Sequence, residues 1–465
     1  MPTPKLKPIP EQLADRRFSF RGGVHPPEHK EITESLPIER LSLPPEIILS
    51  TAMHVGAPAK PVVAKKDTVA RGQLIAEASG FVSAPVHSPV AGQVTDICPL
   101  PHQSGRMVTA LRIATDAEAT EQAIASESEQ KTIPADLDLS PYSPEQIVTA
   151  VKDAGIVGLG GAAFPSFIKL TANPKKPTDV VLLNGSECEP YLTADHRMML
   201  ESAAAIIGGL RLAMKATGAP RGIVAIEDNK PDAIETIGQA IAASGAGDAL
   251  SVARLKTKYP QGGERTLIPA VTGRAVPVGG FPPDIGVCIL NVGTAAAVAA
   301  AVVHGRPLIE RVLTITGRGI ARPGNLLVPI GTPLSFLVDQ RGGLNAAAAR
   351  IILGGPMMGP NAPALDLPVM KGMSGITILA DEDVRIPKEF PCIRCGRCVD
   401  ACPLGLVPAQ IARLVARRHI QEALDTHLLS CVECGTCNYV CPSGIPLVQY
   451  FRSGKFLARR LQQKS

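Results

Sequence analysis

Residues 158–170 read GLGGAAFPSFIKL. Gly158, Gly160 and Ala163 fill the GxGxxA spacing of a dinucleotide-binding loop, where missing side chains let the backbone approach a pyrophosphate. That fingerprint also requires a strand before it and a helix after it. The preceding PEQIVTAVKDAGI instead puts Ile147, Val148, Val151 and Ile156 at helical spacing, so a helix feeds the loop and the Rossmann-loop reading fails on context. What remains is a run of exposed amides from Gly158 to Gly161 that can approach a phosphate or a flat ring, with Phe164 as a stacking face and Lys169 as a cation. Taken alone, the loop reads equally well as a structural turn.

The surrounding text gives it company. From Ser143 to about Gly305 short apolar runs (DVVLLN, GIVAIED, GVCILN) alternate with helical stretches (MMLESAAAIIGGLRLAMKATG, KPDAIETIGQAIAAS, TAAAVAAAVVHG). This predicts an α/β layer around a buried, largely parallel sheet. Directly after DVVLLN comes NGSECEPYLTADHR, which sets Glu187, Glu189 and Asp195 beside Asn184 at a strand end, where ligands of α/β sheets collect. In YPQGGERTLIPAVTGRAVP, Gly262 and Gly263 precede an apolar helix and can seat a phosphate at its N-terminus. The uncharged run 285–303 is long enough to raise a membrane span. Asn291 and Gly293 interrupt it, and it reads as a buried strand followed by an Ala-rich helix.

On the N-terminal side, residues 54–97 alternate apolar pairs with Gly, Pro and Lys turns, the pattern of many short strands, and look like a biotinyl/lipoyl-like sandwich. A carrier of that kind needs a modifiable lysine at a hairpin tip, and none lies between Lys66 and Lys131, so a docking module is expected. Residues 116–142 are polar and acidic and read as a linker. Residues 306–362 turn to β character, as in a small β-grasp domain. The expected organisation is 1–118 β-rich sandwich, 119–142 linker, 143–305 α/β domain, 306–380 β-grasp domain and 381–465 cysteine-bearing domain. The 465 residues suit this many cores. The charge of +5 comes from 47 basic and 42 acidic residues spread along the chain, which excludes a nucleic-acid footprint. MPTPKLKPIPEQLADRR has no apolar core before a cleavage site, so no secretory leader is expected.

Eight of the 11 cysteines fall within 392–441, in PCIRCGRCVDACP and SCVECGTCNYVCP. Cys392, Cys395, Cys398 and Cys402, then Cys431, Cys434, Cys437 and Cys441, repeat CxxCxxCxxxCP, the two-cluster ferredoxin spacing. In that arrangement the fourth cysteine of each run ligates the other cluster. Cys392, Cys395, Cys398 and Cys441 therefore make one [4Fe-4S] set, and Cys431, Cys434, Cys437 and Cys402 the other. Four-cysteine sites also take structural zinc, but two full copies with the trailing proline favour clusters. With no catalytic His or carboxylate in the repeats, the pair reads as an electron relay. Cys98 and Cys288 read as buried hydrophobes.

FRGGVHPPEHK, GLGGAAFPSFIKL, LNGSECEPYLTADHRMM, YPQGGERTLIPAVTGRAVP, GGPMMG and the paired cysteine runs together resemble the RnfC/RsxC component of the Rnf (Rsx) ion-translocating electron transport complexes. They also resemble, more distantly, the NADH-oxidising flavin subunit of respiratory complex I. The resemblance covers nearly the whole chain. It implies an α/β multidomain protein in which a Rossmann-like FMN/NADH domain is joined to a barrel sandwich, an SLBB-like β-grasp domain and a helical two-cluster ferredoxin domain. It implies a non-covalent FMN that takes hydride from NADH and passes single electrons to two [4Fe-4S] clusters. By position, the flavin site maps to Gly158, Gly160, Gly161, Lys169, Asn184, Glu187, Gly262, Gly263, Asn291 and Thr294. The nicotinamide side maps to Phe164, Glu189, Tyr259 and Glu264, and no catalytic acid or base is called for.

The implied partners are the other subunits of the membrane complex and, through them, a ferredoxin-type carrier. The implied place is the cytoplasmic face of the bacterial inner membrane, held there without a transmembrane segment. Two alternatives share parts of this pattern: a soluble flavin and iron-sulfur cobalamin reductase, and a non-enzymatic electron-relay subunit. The chain departs from the family at Ala163, where relatives commonly carry Gly, and at Ser166, where many carry Thr. A methyl at 163 is expected to narrow the space above the flavin ring.

Overall fold

A computed structural model describes residue 7 and residues 16–102 and 105–462. The N-terminal stretch read for a leader lies almost wholly outside the described residues.

The central sheet has four strands, in the order Leu250–Leu255, Arg221–Glu227, Val180–Gly185, Val287–Asn291. Every pairing is parallel, with Val224 against Leu183 and Asn291 against Asn184. Successive residues of a strand point to opposite faces, and here both faces are covered. Val181, Leu183, Val224, Ile226 and Leu290 pack with the helices Ala203–Thr217 and Val292–His304. Val180, Leu182, Ile223, Ala225 and Ile289 pack with Phe18 and the helix Glu264–Thr272. Two buried faces explain why these strands read as unbroken apolar runs rather than alternations.

The run 285–303 is the strand and helix expected of it. The helix Val292–His304 lies so close to Ala203–Thr217 that a Cβ on Gly209 would sit 1.9 Å from the Ala295 carbonyl oxygen. Among the described residues no helix is long and apolar enough to cross a membrane.

One expected helix is two. The stretch from Met198 to Gly218 breaks at Ser202 (φ −133°, ψ 24°), giving Ala194–Glu201 and Ala203–Thr217. The first is tied to the loop that follows the Val180–Gly185 strand, the second to the sheet face, and one straight helix cannot serve both.

The sandwich consists of a four-stranded antiparallel sheet (Glu46–Ser50, Met107–Thr115, Gly92–Pro101, Thr68–Val69) against a three-stranded one (Lys60–Pro61, Leu74–Glu77, Val86–His87). Residues Ala117–Ser128, read as linker, are helical. Asp116 caps them by accepting the Ala119 amide, and Glu127 pairs with the buried Arg71 guanidinium of the sandwich at 2.8 Å. The β-grasp sheet runs Ile38–Arg40, Gly324–Pro329, Glu310–Thr316, Gly375–Ala380, Ala348–Leu353, with the helix Leu334–Gln340 beside it. Its edge strand Ile38–Arg40 comes from the chain before the sandwich and pairs in parallel with Gly324–Pro329. The cysteine domain is helical, with Leu406, Ile411, Val415, Leu428 and Phe451 at its centre.

Candidate functional site

The glycine loop runs from Val157 to Pro165, whose backbones bridge, and it follows the helix Pro144–Asp153, as the sequence context requires. Gly158 N–H donates to the Phe164 carbonyl at 2.9 Å, and Ala163 N–H to the Gly158 carbonyl at 3.2 Å, closing the loop on itself. Gly161 (φ 109°) has nothing within 4 Å of where a Cβ would be, so the crown of the loop is open. Ala163 also takes a positive φ, 49°. Its methyl lies 3.1 Å from the Cβ position of Gly372 in the β-grasp domain, which is itself 3.0 Å from the Gly161 carbonyl oxygen.

The loop is tied to the C-terminal ends of the central strands. Leu159 N–H donates to the Thr294 hydroxyl at 2.9 Å, and a Cβ on Gly160 would lie 3.3 Å from the Asn291 Cβ. Asn291 caps the helix Val292–His304 by accepting from the Gly293 and Thr294 amides, and its Nδ2 donates to Asp195 at 2.6 Å. One strand over, Asn184 donates to the Gly262 carbonyl at 2.8 Å and accepts the Ser186 amide. The Gly262 amide donates to Cys188 Sγ at 3.2 Å, and Gly263 is the N-cap of the helix Glu264–Thr272. Three stretches far apart in sequence thus meet where ligands of parallel sheets bind. Lys169 is half-buried, its Nζ donating to the Ile289 carbonyl at 3.1 Å; Phe164 stays on the loop, and Glu264 is exposed.

The acidic residues take distinct roles. Glu187 accepts the Asp195 and His196 amides at 2.7 and 3.0 Å, so it caps the helix Ala194–Glu201. Burial and then the Glu187 charge push Asp195 up to about 7, against the Asn291 amide. Glu189 accepts the Met357 amide at 3.0 Å and lies 3.4 Å from the Tyr259 hydroxyl, and burial pushes it up to about 7. Tyr259 is itself buried, and its hydroxyl donates to the Cys434 carbonyl at 2.8 Å. It therefore links the acidic loop to a cluster cysteine. Sequence reasoning assigned nothing to the Met357 amide, to Lys30 beneath the acidic loop, or to Arg311. Arg311 is buried and donates to the Lys371 carbonyl at 2.6 Å, with Leu159 O at 3.5 Å. The one sequence signal for Met357 was the GGPMMG run, where a Cβ on Gly355 would lie 2.4 Å from Glu189 Oε2.

These residues fit a polar, phosphate-bearing ligand with a flat ring. The cradle is glycine-lined, and the buried Ser186 hydroxyl and both ends of the Gln261 amide have no partner within the protein. Orphaned polar atoms of this kind call for a ligand or water.

Cys402, Cys431, Cys434 and Cys437 line one cavity of the cysteine domain. Burial and then the charges of Cys431, Cys434 and Cys402 push the Cys437 thiol up. Burial likewise raises Cys398, with Cys392 and Cys441 adding to it. Among the described residues no three of His, Cys, Asp or Glu converge on a single-ion site. The two sets differ in setting. Cys434 and Cys437 are buried, and Ala401 and Cys434 pack with Val24, Tyr259 and Cys188. Gly23 N–H donates to the Ala401 carbonyl at 2.9 Å, and a Cβ on Gly435 would lie 2.8 Å from the Met357 carbonyl oxygen. Cys392 and Cys395 are exposed.

Residues 18–118 match the RnfC barrel sandwich hybrid domain, 151–300 the Nuo51 FMN-binding domain, 312–361 the SLBB domain and 391–445 the 4Fe-4S dicluster domain. The chain is 44% identical to the C component of the Na(+)-translocating ferredoxin:NAD(+) oxidoreductase complex of Acetobacterium woodii, over 86% of this chain and 88% of the relative. It is 45% identical to the proton-translocating counterpart of Clostridium ljungdahlii, over 93% of each. Against the C component of the ion-translocating oxidoreductase complex of Rhodobacter capsulatus it is 42% identical, over 94% of this chain and 83% of the relative. Among solved structures, a chain of an NAD+-reducing [NiFe]-hydrogenase shares the fold, with a TM-score of 0.52 at 20% identity over 71% of this chain and 65% of that one.

Proposed function

Because the chain belongs to the RnfC family of components of ion-translocating ferredoxin:NAD+ oxidoreductase complexes, we propose that it is the subunit where NADH meets FMN, placed peripherally on the cytoplasmic face of the membrane. One observation carries the reading: the glycine loop, the acidic loop and the Gly262–Gly263 turn converge at the strand ends, and Tyr259 bridges that point to Cys434. FMN, when bound, turns the two-electron chemistry of hydride into the single electrons that [4Fe-4S] clusters carry.

The protein's own part is position and electrostatics. Gly158, Gly160 and Gly161 would line one side of the flavin and Gly262 and Gly263 the other, with Asn184, Asn291 and Thr294 locking the strand ends to those turns. Lys169 would supply a cation, while Phe164, Glu189 and Glu264 would border the nicotinamide. Glu187 holds the acidic loop on its helix, and Tyr259, buried between Glu189 and Cys434, sets the spacing to the cysteine domain. Cys402, Cys431, Cys434 and Cys437 form the set packed against the flavin domain. Cys392, Cys395, Cys398 and Cys441 form the outer set, where an electron partner has access.

The test is an anaerobic NADH titration of the chain after reconstitution with FMN and iron, followed by absorbance. Bleaching of both flavin and cluster bands is expected. Stable FMN binding without bleaching would leave only the relay role. Co-purification with the membrane subunits separates this reading from a soluble flavin and iron-sulfur reductase.

A further inference from the structure

The segment before the sandwich runs as a strap between the flavin domain and the inner cysteine set. Phe18 bridges Leu255 at the edge of the central sheet, and Val24 and Tyr259 exchange backbone hydrogen bonds at 2.9 Å. A Cβ on Gly22 would lie 2.9 Å from the Cys402 carbonyl oxygen. The strap ends on Lys30, 4% exposed, whose Nζ donates to the carbonyls of Glu187 (2.9 Å), Glu189 (3.1 Å) and Leu192 (2.5 Å).

An ammonium has three donors, and all three are spent on the main chain of the acidic loop, so no carboxylate among the described residues neutralises this cation by direct contact. A second buried lysine, Lys230, donates to Ser186 O at 3.2 Å and pairs with Glu227 at 3.1 Å. Burial and the Lys230 charge both lower the Lys30 pKa, while Glu187 and Glu227 oppose them. A charge in so dry a place acts over a longer range than it would in water.

We propose that Lys30 is a positioning residue of the flavin site: its ammonium fixes the 187–192 loop from beneath, and its buried charge, in direct contact with carbonyls only, favours the more negative, reduced form of the flavin. This rests on the reading that the chain binds FMN; charge near the ring is one of the protein's means of tuning it.

The experiment uses the full chain, reconstituted with FMN and iron, as wild type, Lys30→Gln, Lys30→Arg and Thr33→Val. The last removes the hydroxyl pair of Thr33 with Thr193 (2.7 Å) from the same stretch of chain without touching charge. The readouts are the flavin midpoint potential, FMN occupancy and iron content. In Lys30→Gln the affinity for reduced over oxidised FMN falls several-fold, seen as a more negative midpoint at unchanged iron content. Lys30→Arg and Thr33→Val keep the wild-type midpoint. A wild-type midpoint in Lys30→Gln, or an equal shift in Thr33→Val, overturns the proposal. If Lys30→Gln does not fold, Lys30→Met stands in for it: a more negative midpoint upholds the proposal, and the wild-type midpoint overturns it. A wild-type chain that takes up no FMN would instead sink the underlying reading.

Discussion

Ala163 holds a φ of 49°, a region in which a Cβ costs roughly 1–2 kcal/mol. Its amide and carbonyl are both engaged, with the Gly158 carbonyl and the Val55 amide, so the backbone cannot relax. Replacing Ala163 with Gly relieves the strain but frees the unfolded chain, an opposing effect of roughly 0.4–1 kcal/mol. A gain of at most about 1 kcal/mol in a denaturant melt is the balance. Since the methyl packs against Gly372, the NADH KM of Ala163→Gly is expected to stay at the wild-type value; a clear fall would show that the methyl reaches the nucleotide. The identity of residue 163 was plain in the sequence, but its direction was not, because facing depends on a φ that a pattern match does not contain. Lys30 and Arg311 were illegible for a related reason: a lysine or arginine in text reads as solvated surface, and only the fold reveals the carbonyls that each one meets.

Among the elements, the central strands were legible because burial on both faces leaves continuous apolar runs, and the glycine loop because its context excluded a strand before it. The Ile38–Arg40 strand was not: three edge residues paired with a distant segment carry no periodicity. Nor was the Ser202 break, which is set by what each half-helix packs on. The helix Val292–His304 offers a test at this scale. Its cap, Asn291, also feeds a hydrogen bond to buried Asp195. Asn291→Ala loses a cap worth about 1 kcal/mol and strips a buried carboxylate of a donor, which costs about 1–3 kcal/mol more. Asn291→Asp keeps a capping oxygen but sets a second carboxylate beside Asp195. If the cap were all that mattered, the aspartate would rescue; the structure instead predicts that Asn291→Asp is destabilised at pH 8 and recovers toward pH 6, as Asp195 takes up its proton near 7. Urea melts at the two pH values check this.

At the scale of the molecule, the modules are joined by buried cations and by the cysteine domain. Lys371 of the β-grasp domain donates to Pro85 O of the sandwich at 2.9 Å and to Gly155 O ahead of the glycine loop at 2.7 Å. Burial lowers it from 10.5 to about 7, so between those values the unfolded chain holds the extra proton. Stability contributed at this site therefore rises with pH across the window from about 7 to 10.5, and Lys371→Met should flatten that rise in melts taken from pH 7 to 10. The cysteine domain carries the larger consequence. The spacing predicts that each fourth cysteine crosses to the other set, and Cys402 lines one cavity with Cys431, Cys434 and Cys437. Text could not rank the sets, because that order depends on which one Tyr259, Gly23 and Met357 touch. Two substitutions separate both points. Cys441→Ser should lose the outer cluster while NADH still reduces the inner one. Cys402→Ser should lose the inner cluster and cut the outer from NADH, although dithionite still reduces it and FMN still bleaches. EPR of NADH-reduced and dithionite-reduced samples reads both outcomes. If Cys402→Ser left an NADH-reducible cluster and Cys441→Ser left none, the order of the sets would be reversed.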